Sequence, residues 1–68
     1  MSKTYKLIEL VGTSNKSYED AIQNAVSQAA KSLKALSWYE VIQMRGAIID
    51  GKVTEYQVIL KVGFKLVD

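Results

Sequence analysis

Residues 52–67, KVTEYQVILKVGFKLV, limit the folds open to this chain more than any other stretch. Tyr56, Val58, Leu60, Val62, Phe64 and Leu66 are all apolar at even positions, while Glu55, Gln57, Lys61 and Lys65 are polar at odd ones and Ile59 is the exception. Period two over such a length means a strand with one face buried and the other in water. At roughly 14 residues it runs far beyond the usual five or six. Just before it stands Asp50-Gly51, the pair a type I′ turn favours because both central residues need positive φ. A second strand-like run, residues 38–49, leads into that turn. The chain must therefore contain one long antiparallel hairpin.

The remaining residues supply a third strand and a helix. Residues 3–12, KTYKLIELVG, are rich in β-formers and closed by Gly12. TSNKS, residues 13–17, is a cluster of turn and cap residues. Ser17 followed by Asp20 resembles a capping box and predicts a helix start. From there Tyr18, Ala21, Ile22, Ala25, Val26, Ala29, Leu33 and Leu36 recur in steps of three and four, one stripe on a helix of about five turns. Lys31 and Lys34 fall in its last turns, where cations complement the helix dipole. The three alanines let the helix lie close on a sheet. The expected fold is α+β, a β-α-β-β subunit with a three-stranded antiparallel sheet around one helix, and a single domain over residues 1–68.

Such a domain is small. A chain of this length buries only about 60% of the surface its unfolded form exposes and ordinarily needs a staple. With no cysteine and no histidine, disulfides, thiolate or imidazole metal sites and Ser-His or Cys-His nucleophiles are all excluded. One helix cannot cover so long a sheet, and Ile42, Met44, Ile48 and Ile59 are left over. Assembly of subunits is the expected staple.

Seven acidic residues form no suggestive acid–base pair, which argues against an enzyme. Nine basic residues leave a net charge of +2, and the lysines are scattered rather than massed, so charge does not call for nucleic acid. No apolar run approaches the ~20 residues that span a bilayer, and no signal-peptide pattern opens the chain, so a cytoplasmic protein is expected.

The residue of greatest interest is Trp38, the only tryptophan. With a two-residue turn, Ile49 faces Lys52. Counting outward then places Trp38 opposite Gly63 and Met44 opposite Gln57. Trp38 and Gln57 share the polar face of the hairpin, away from the helix, whereas Gln43 and Arg45 fall on the helix side. A bulge would shift this pairing. On the residues alone Trp38 is either a core or interface aromatic or a platform for a flat ligand. Trp38, Tyr39 and Tyr56 could also stack nucleic-acid bases, and a purely structural oligomeric shell is a further alternative.

YKLIELVGTS (5–14), the alanine-rich helix, LSWYEVIQMRG (36–46) and EYQVILKVGFKL (55–66) together resemble the dodecins, small flavin-binding proteins of bacteria and archaea, over essentially the whole chain. The resemblance implies a hollow homododecamer that binds flavins in stacked pairs at two-fold contacts, sandwiched between tryptophans. On that likeness Trp38 stacks on the isoalloxazine, Gln57 bonds its pyrimidine edge, and Arg45 lies near the ligand. The implied cofactor is FMN, with riboflavin or FAD as related forms and coenzyme A as a further ligand. The implied role is flavin storage, buffering and photoprotection. In the counted register Trp38, opposite Gly63, stands six positions along the hairpin from Gln57. That is about 20 Å of strand, so one flavin could touch both only across two subunits.

Overall fold

A computed structural model describes residues 2–66, and the expected strand end at Val67 lies outside them. The elements are β1 (Tyr5–Ser14), α1 (Tyr18–Ala30), β2 (Leu36–Ile49) and β3 (Lys52–Lys65). This is the β-α-β-β order read from the sequence. Both neighbours of β3 run antiparallel to it, giving the sheet order β1-β3-β2. Asp50 has a φ of 52° and Gly51 a φ of 75°. The turn between β2 and β3 thus has the positive φ values its residues favour.

The even face of β3 forms the core. Val58, Leu60 and Val62 are fully buried there against Ala21 and Ala25 of α1, and Ala29, one turn on, is buried as well. Ile8, Leu10, Tyr18, Ile22, Val26 and Leu36 pack around them, half-buried. The alanines do allow the close approach expected of them, and Gly12 completes it from the other side. A Cβ built at Gly12 would stand 2.1 Å from the Ala21 carbonyl oxygen and 3.0 Å from the Ala25 Cβ. Gly12 does not close its strand: β1 continues to Ser14, and Gly12 is buried inside it.

Ser17 is the N-cap, extended, with its Oγ accepting from the Asp20 backbone N–H at 3.0 Å, the usual way a serine satisfies a free helix donor. The Asp20 carboxylate instead takes the Ser14 hydroxyl at 2.7 Å, while that same hydroxyl accepts from the Lys16 N–H at 2.9 Å. Buried Ser14 is thus satisfied on both counts. At its other end α1 stops well short of the expected five turns. Lys31 is the C-cap, Lys34 lies beyond the helix, and no cation occupies the last turn. Leu33 still reaches back through its N–H to the Ala29 carbonyl. Ala35 then takes a left-handed φ of 62°, and the chain turns into β2 with Leu36 packed on the core. The apolar period outlasts the helix because Leu36 still meets the same core and Leu33 is half-buried beside the helix end.

The pairing of β2 with β3 departs from a simple two-residue hairpin count. Ile49 faces Lys52 and Trp38 faces Gly63, as counted, but Arg45 rather than Met44 faces Gln57. Thr54 is an extra residue on β3 between the Ile48–Val53 and Ala47–Glu55 pairs, and Ile42 is an extra residue on β2 between Val41 and Gln43. These two bulges offset each other, so from the turn as far as Trp38 the register is shifted by one only between them. A further irregularity, at Ser37, comes after Trp38 has paired. Gln43 and Arg45 therefore turn away from the helix, and Met44 turns toward it, opposite Val58.

Helix α1 lies over β1 and β3. On the same side of the sheet β2 leaves Tyr39, Val41 and Met44 exposed, and Ile42, Ile48 and Ile49 are exposed along the same strand, Ile48 at 70%. Ile59, expected among them, is half-buried. An elongated subunit, 54 × 20 × 13 Å, carries this apolar strip along one edge.

Candidate functional site

The face of the sheet away from α1 carries most of the polar positions of the three strands, together with Leu7, Val11 and Ile59. Successive rows across it are Leu7–Gly63–Trp38, Glu9–Lys61–Glu40, Val11–Ile59–Gln43 and Thr13–Gln57–Arg45. Directly opposed residues share a face, so each row is a contiguous strip of side chains.

Trp38 sits near the start of edge strand β2, and its indole lies over Gly63 on the central strand. A Cβ at residue 63 would stand 2.5 Å from both Cε2 and Cζ2 of the indole and 2.8 Å from Cη2. The ring occupies the space that any side chain there would need. Tyr5, diagonally across on β1, packs its ring against the indole at 4.8 Å between centroids, tilted by 60°. Between Gly63 and Tyr5 the indole is held, yet it remains 44% exposed. Within the subunit Trp38 is not part of the core. It is a supported aromatic surface with a large area open.

Arg45 and Gln57, which simple counting puts on opposite faces, are joined. The Arg45 Nε donates to the Gln57 Oε1 at 2.8 Å, and the Gln57 Nε2 donates to the Glu55 Oε1 at 2.7 Å. Gln57 retains a second N–H and a second Oε1 lone pair. A donor and an acceptor side by side match an amide-like edge that offers N–H beside C=O.

Trp38 and Gln57 share the face but do not meet. Gly63, under the indole, and Gln57 are six positions apart on β3. Their separation is about 20 Å of strand. The family likeness singles out Trp38, Arg45 and Gln57 but gives no role to Glu55, two residues before Gln57 on the same strand, or to Tyr5, whose place depends on pairing across strands. The other two aromatics of the base-stacking alternative are elsewhere. Tyr39 faces Val62 on the helix side, and Tyr56 packs edge-on against Tyr18 of α1, centroids 5.0 Å apart. One subunit presents no continuous aromatic surface made of all three.

Among the described residues no three Asp or Glu side chains gather as metal ligands, and no helix is long and apolar enough to cross a membrane.

Comparison with known proteins agrees over the whole length. A sequence profile of the Dodecin family matches residues 4–67. Dodecin of Thermus thermophilus is 53% identical over 66 residues, covering 97% of this chain and 96% of that protein. The solved structure of a variant of that dodecin, with a tryptophan changed to phenylalanine, superposes with a TM-score of 0.94 at 49% identity, covering 98% of this chain and all of the other. Dodecin from Streptomyces coelicolor superposes at 0.93 with 47% identity, covering 97% and 94% of the two chains. A more distant relative, the calcium dodecin of Mycobacterium tuberculosis, is 35% identical with a TM-score of 0.82, covering 94% and 91%, and is described as a calcium-chelating antigen with a calcium-binding site. Profile, identity and superposition converge: this chain belongs to the dodecin family.

Proposed function

We propose that this protein binds flavin and sequesters it, with the isoalloxazine stacked on Trp38 and its pyrimidine edge bonded by Gln57. The observation that carries this reading is the indole laid over Gly63, held by Tyr5 and open on a face free of the subunit's core. Aromatic stacking contributes about 0.5–1.5 kcal/mol beyond the area buried. The free N–H and lone pair of the Gln57 amide suit the mixed carbonyl and N–H edge of the ring. Arg45 Nε is engaged with Gln57, and its two remaining guanidinium nitrogens suit a phosphate, which favours FMN. Riboflavin and FAD carry the same ring. Coenzyme A is a further ligand of this reading, for a separate surface.

The site is completed by assembly. Trp38 and Gln57 are too far apart along one hairpin for a single ring, so Trp38 of one subunit works with Gln57 of another across a two-fold contact. The exposed apolar strip of β2 gives the subunits a reason to assemble, and a homododecamer is the assembly we assign. Flavin pairs sandwiched between indoles have no room for a substrate at the reactive face. The role is therefore storage, buffering and photoprotection in the cytoplasm, with the indole quenching the excited flavin by electron donation, and without catalytic turnover. Neither a nucleic acid nor a membrane is a partner in this reading.

A variant made monomeric by charges on the β2 strip, Val41→Glu with Met44→Glu, tests this. Checked as folded by circular dichroism, it is expected to leave FMN fluorescence unquenched at concentrations where the assembled protein saturates. Tight FMN binding by that monomer overturns the two-subunit site.

A further inference from the structure

We propose that Glu55 is a positioning residue that sets the polarity of the Gln57 amide, and so decides which groups of a ligand edge Gln57 can meet. The inference rests on the flavin reading above and extends it to a residue outside the stacking and edge-binding pair.

A guanidinium N–H only donates, and a carboxylate only accepts. Arg45 Nε lies 2.8 Å from Gln57 Oε1, and Glu55 Oε1 lies 2.7 Å from Gln57 Nε2. Turning the amide over would set its oxygen against the carboxylate and its NH₂ against the guanidinium, exchanging two charge-assisted hydrogen bonds for two repulsions. The orientation of this amide is thus imposed from both sides rather than left to an ambiguous network.

The backbone makes the arrangement stable. Glu55 and Gln57 are two residues apart on β3, so they project from one face of the same strand. Arg45 is directly across from Gln57 on β2. The Thr54 bulge lies beside Glu55 and is one of the two irregularities that bring Arg45 into line with Gln57. Without the offset pairing Met44 would stand there, and only one side of the amide would be held.

The ligand-facing consequence is a fixed donor–acceptor pair. Gln57 Oε1 keeps one lone pair for an N–H, and Nε2 keeps one hydrogen for a neighbouring carbonyl. The flavin pyrimidine edge offers one N–H flanked by two carbonyls and satisfies both at once. Without Glu55 the amide is held only through its oxygen and rotates more freely, so part of the ligand's hydrogen bonding goes to ordering it.

Riboflavin is the probe, because it carries the ring without a phosphate that would respond to the Glu55 charge. Its affinity is measured for the oligomeric wild type, Glu55→Ala, Gln57→Ala and the double variant. Glu55→Ala is expected to weaken binding about five- to ten-fold while Gln57 is present, the scale of one hydrogen bond, and to change nothing further once Gln57 is alanine. An equal loss in both backgrounds, or no loss in either, overturns the assignment. Side-chain amide resonances of Gln57 in the flavin-free protein give an independent reading. Two resolved, slowly exchanging protons that become mobile in Glu55→Ala support the lock, and an amide as mobile as that of exposed Gln28 overturns it. An ordered Gln57 amide in a protein that ignores riboflavin upholds the lock and contradicts the flavin reading instead.

Discussion

Gly12→Ala is expected to lower the melting temperature by about 12–24 °C, or to prevent a folded subunit from accumulating at all. The added methyl would stand 2.1 Å from the Ala21 carbonyl oxygen. That oxygen belongs to the helix backbone and cannot swing aside as a side chain can. Helix α1 would have to lift from the sheet, parting Ala21 and Ala25 from Val58 and Leu60 in the centre of the core. Overpacking of this kind costs about 1–3 kcal/mol, and a clash against backbone belongs at the upper end. For a domain of this size each kcal/mol shifts the midpoint by about 4–8 °C. Total stability of small domains starts near ~5 kcal/mol, so the loss takes a large share. Thermal unfolding followed by circular dichroism checks it, and a midpoint within a few degrees of wild type would contradict the packing described.

Gly63→Ala probes the opposite face with the opposite outcome. Its methyl would stand 2.5 Å from two indole carbons, but the indole is a side chain on an edge strand and can move. The subunit is expected to stay folded while the indole leaves its place above β3, taking the stacking surface with it. FMN affinity should fall tenfold or more, about 1.4 kcal/mol or greater, although Trp38 is still present. The pair of glycine variants thus separates fold from site. Wild-type FMN affinity in folded Gly63→Ala would mean that the indole's seat on Gly63 plays no part in binding.

How much of this can be read from residues alone differs by element. Alternation in β3, the Asp50-Gly51 turn and the alanine stripe each express one local rule without conflict, and the fold follows them. Ser17 is legible as a cap for the same reason. The apolar period overstates the length of α1 because Leu33 and Leu36 keep it after the chain has left the helix, Leu36 by packing on the core and Leu33 by partial burial. Gly12 resembles a terminator, although its reason is close approach to α1, which depends on a helix elsewhere in the chain. The β2 bulge leaves a trace: polar residues fall at Glu40, Gln43 and Arg45, and the change of parity after Glu40 marks an extra residue between Val41 and Gln43. The matching extra residue at Thr54 leaves none.

The candidate site is legible to the same depth. Trp38 opposite Gly63 can be counted correctly because the Thr54 and Ile42 bulges cancel before the pairing reaches that end of the hairpin. Arg45 beside Gln57 cannot, because that pair lies between them. Tyr5 against Trp38 and Glu55 against Gln57 are diagonal or same-strand contacts, settled by side-chain reach rather than by period.

The central claim is that Trp38 is a stacking surface for flavin. Titrating FMN with flavin-free oligomer, beside the Trp38→Ala variant, tests it most directly. Strong quenching of FMN fluorescence is expected, saturating near one flavin per subunit and lost in the variant. No quenching by the intact oligomer, or equal quenching by Trp38→Ala, would contradict that claim and return Trp38 to the role of an interface residue in a structural shell.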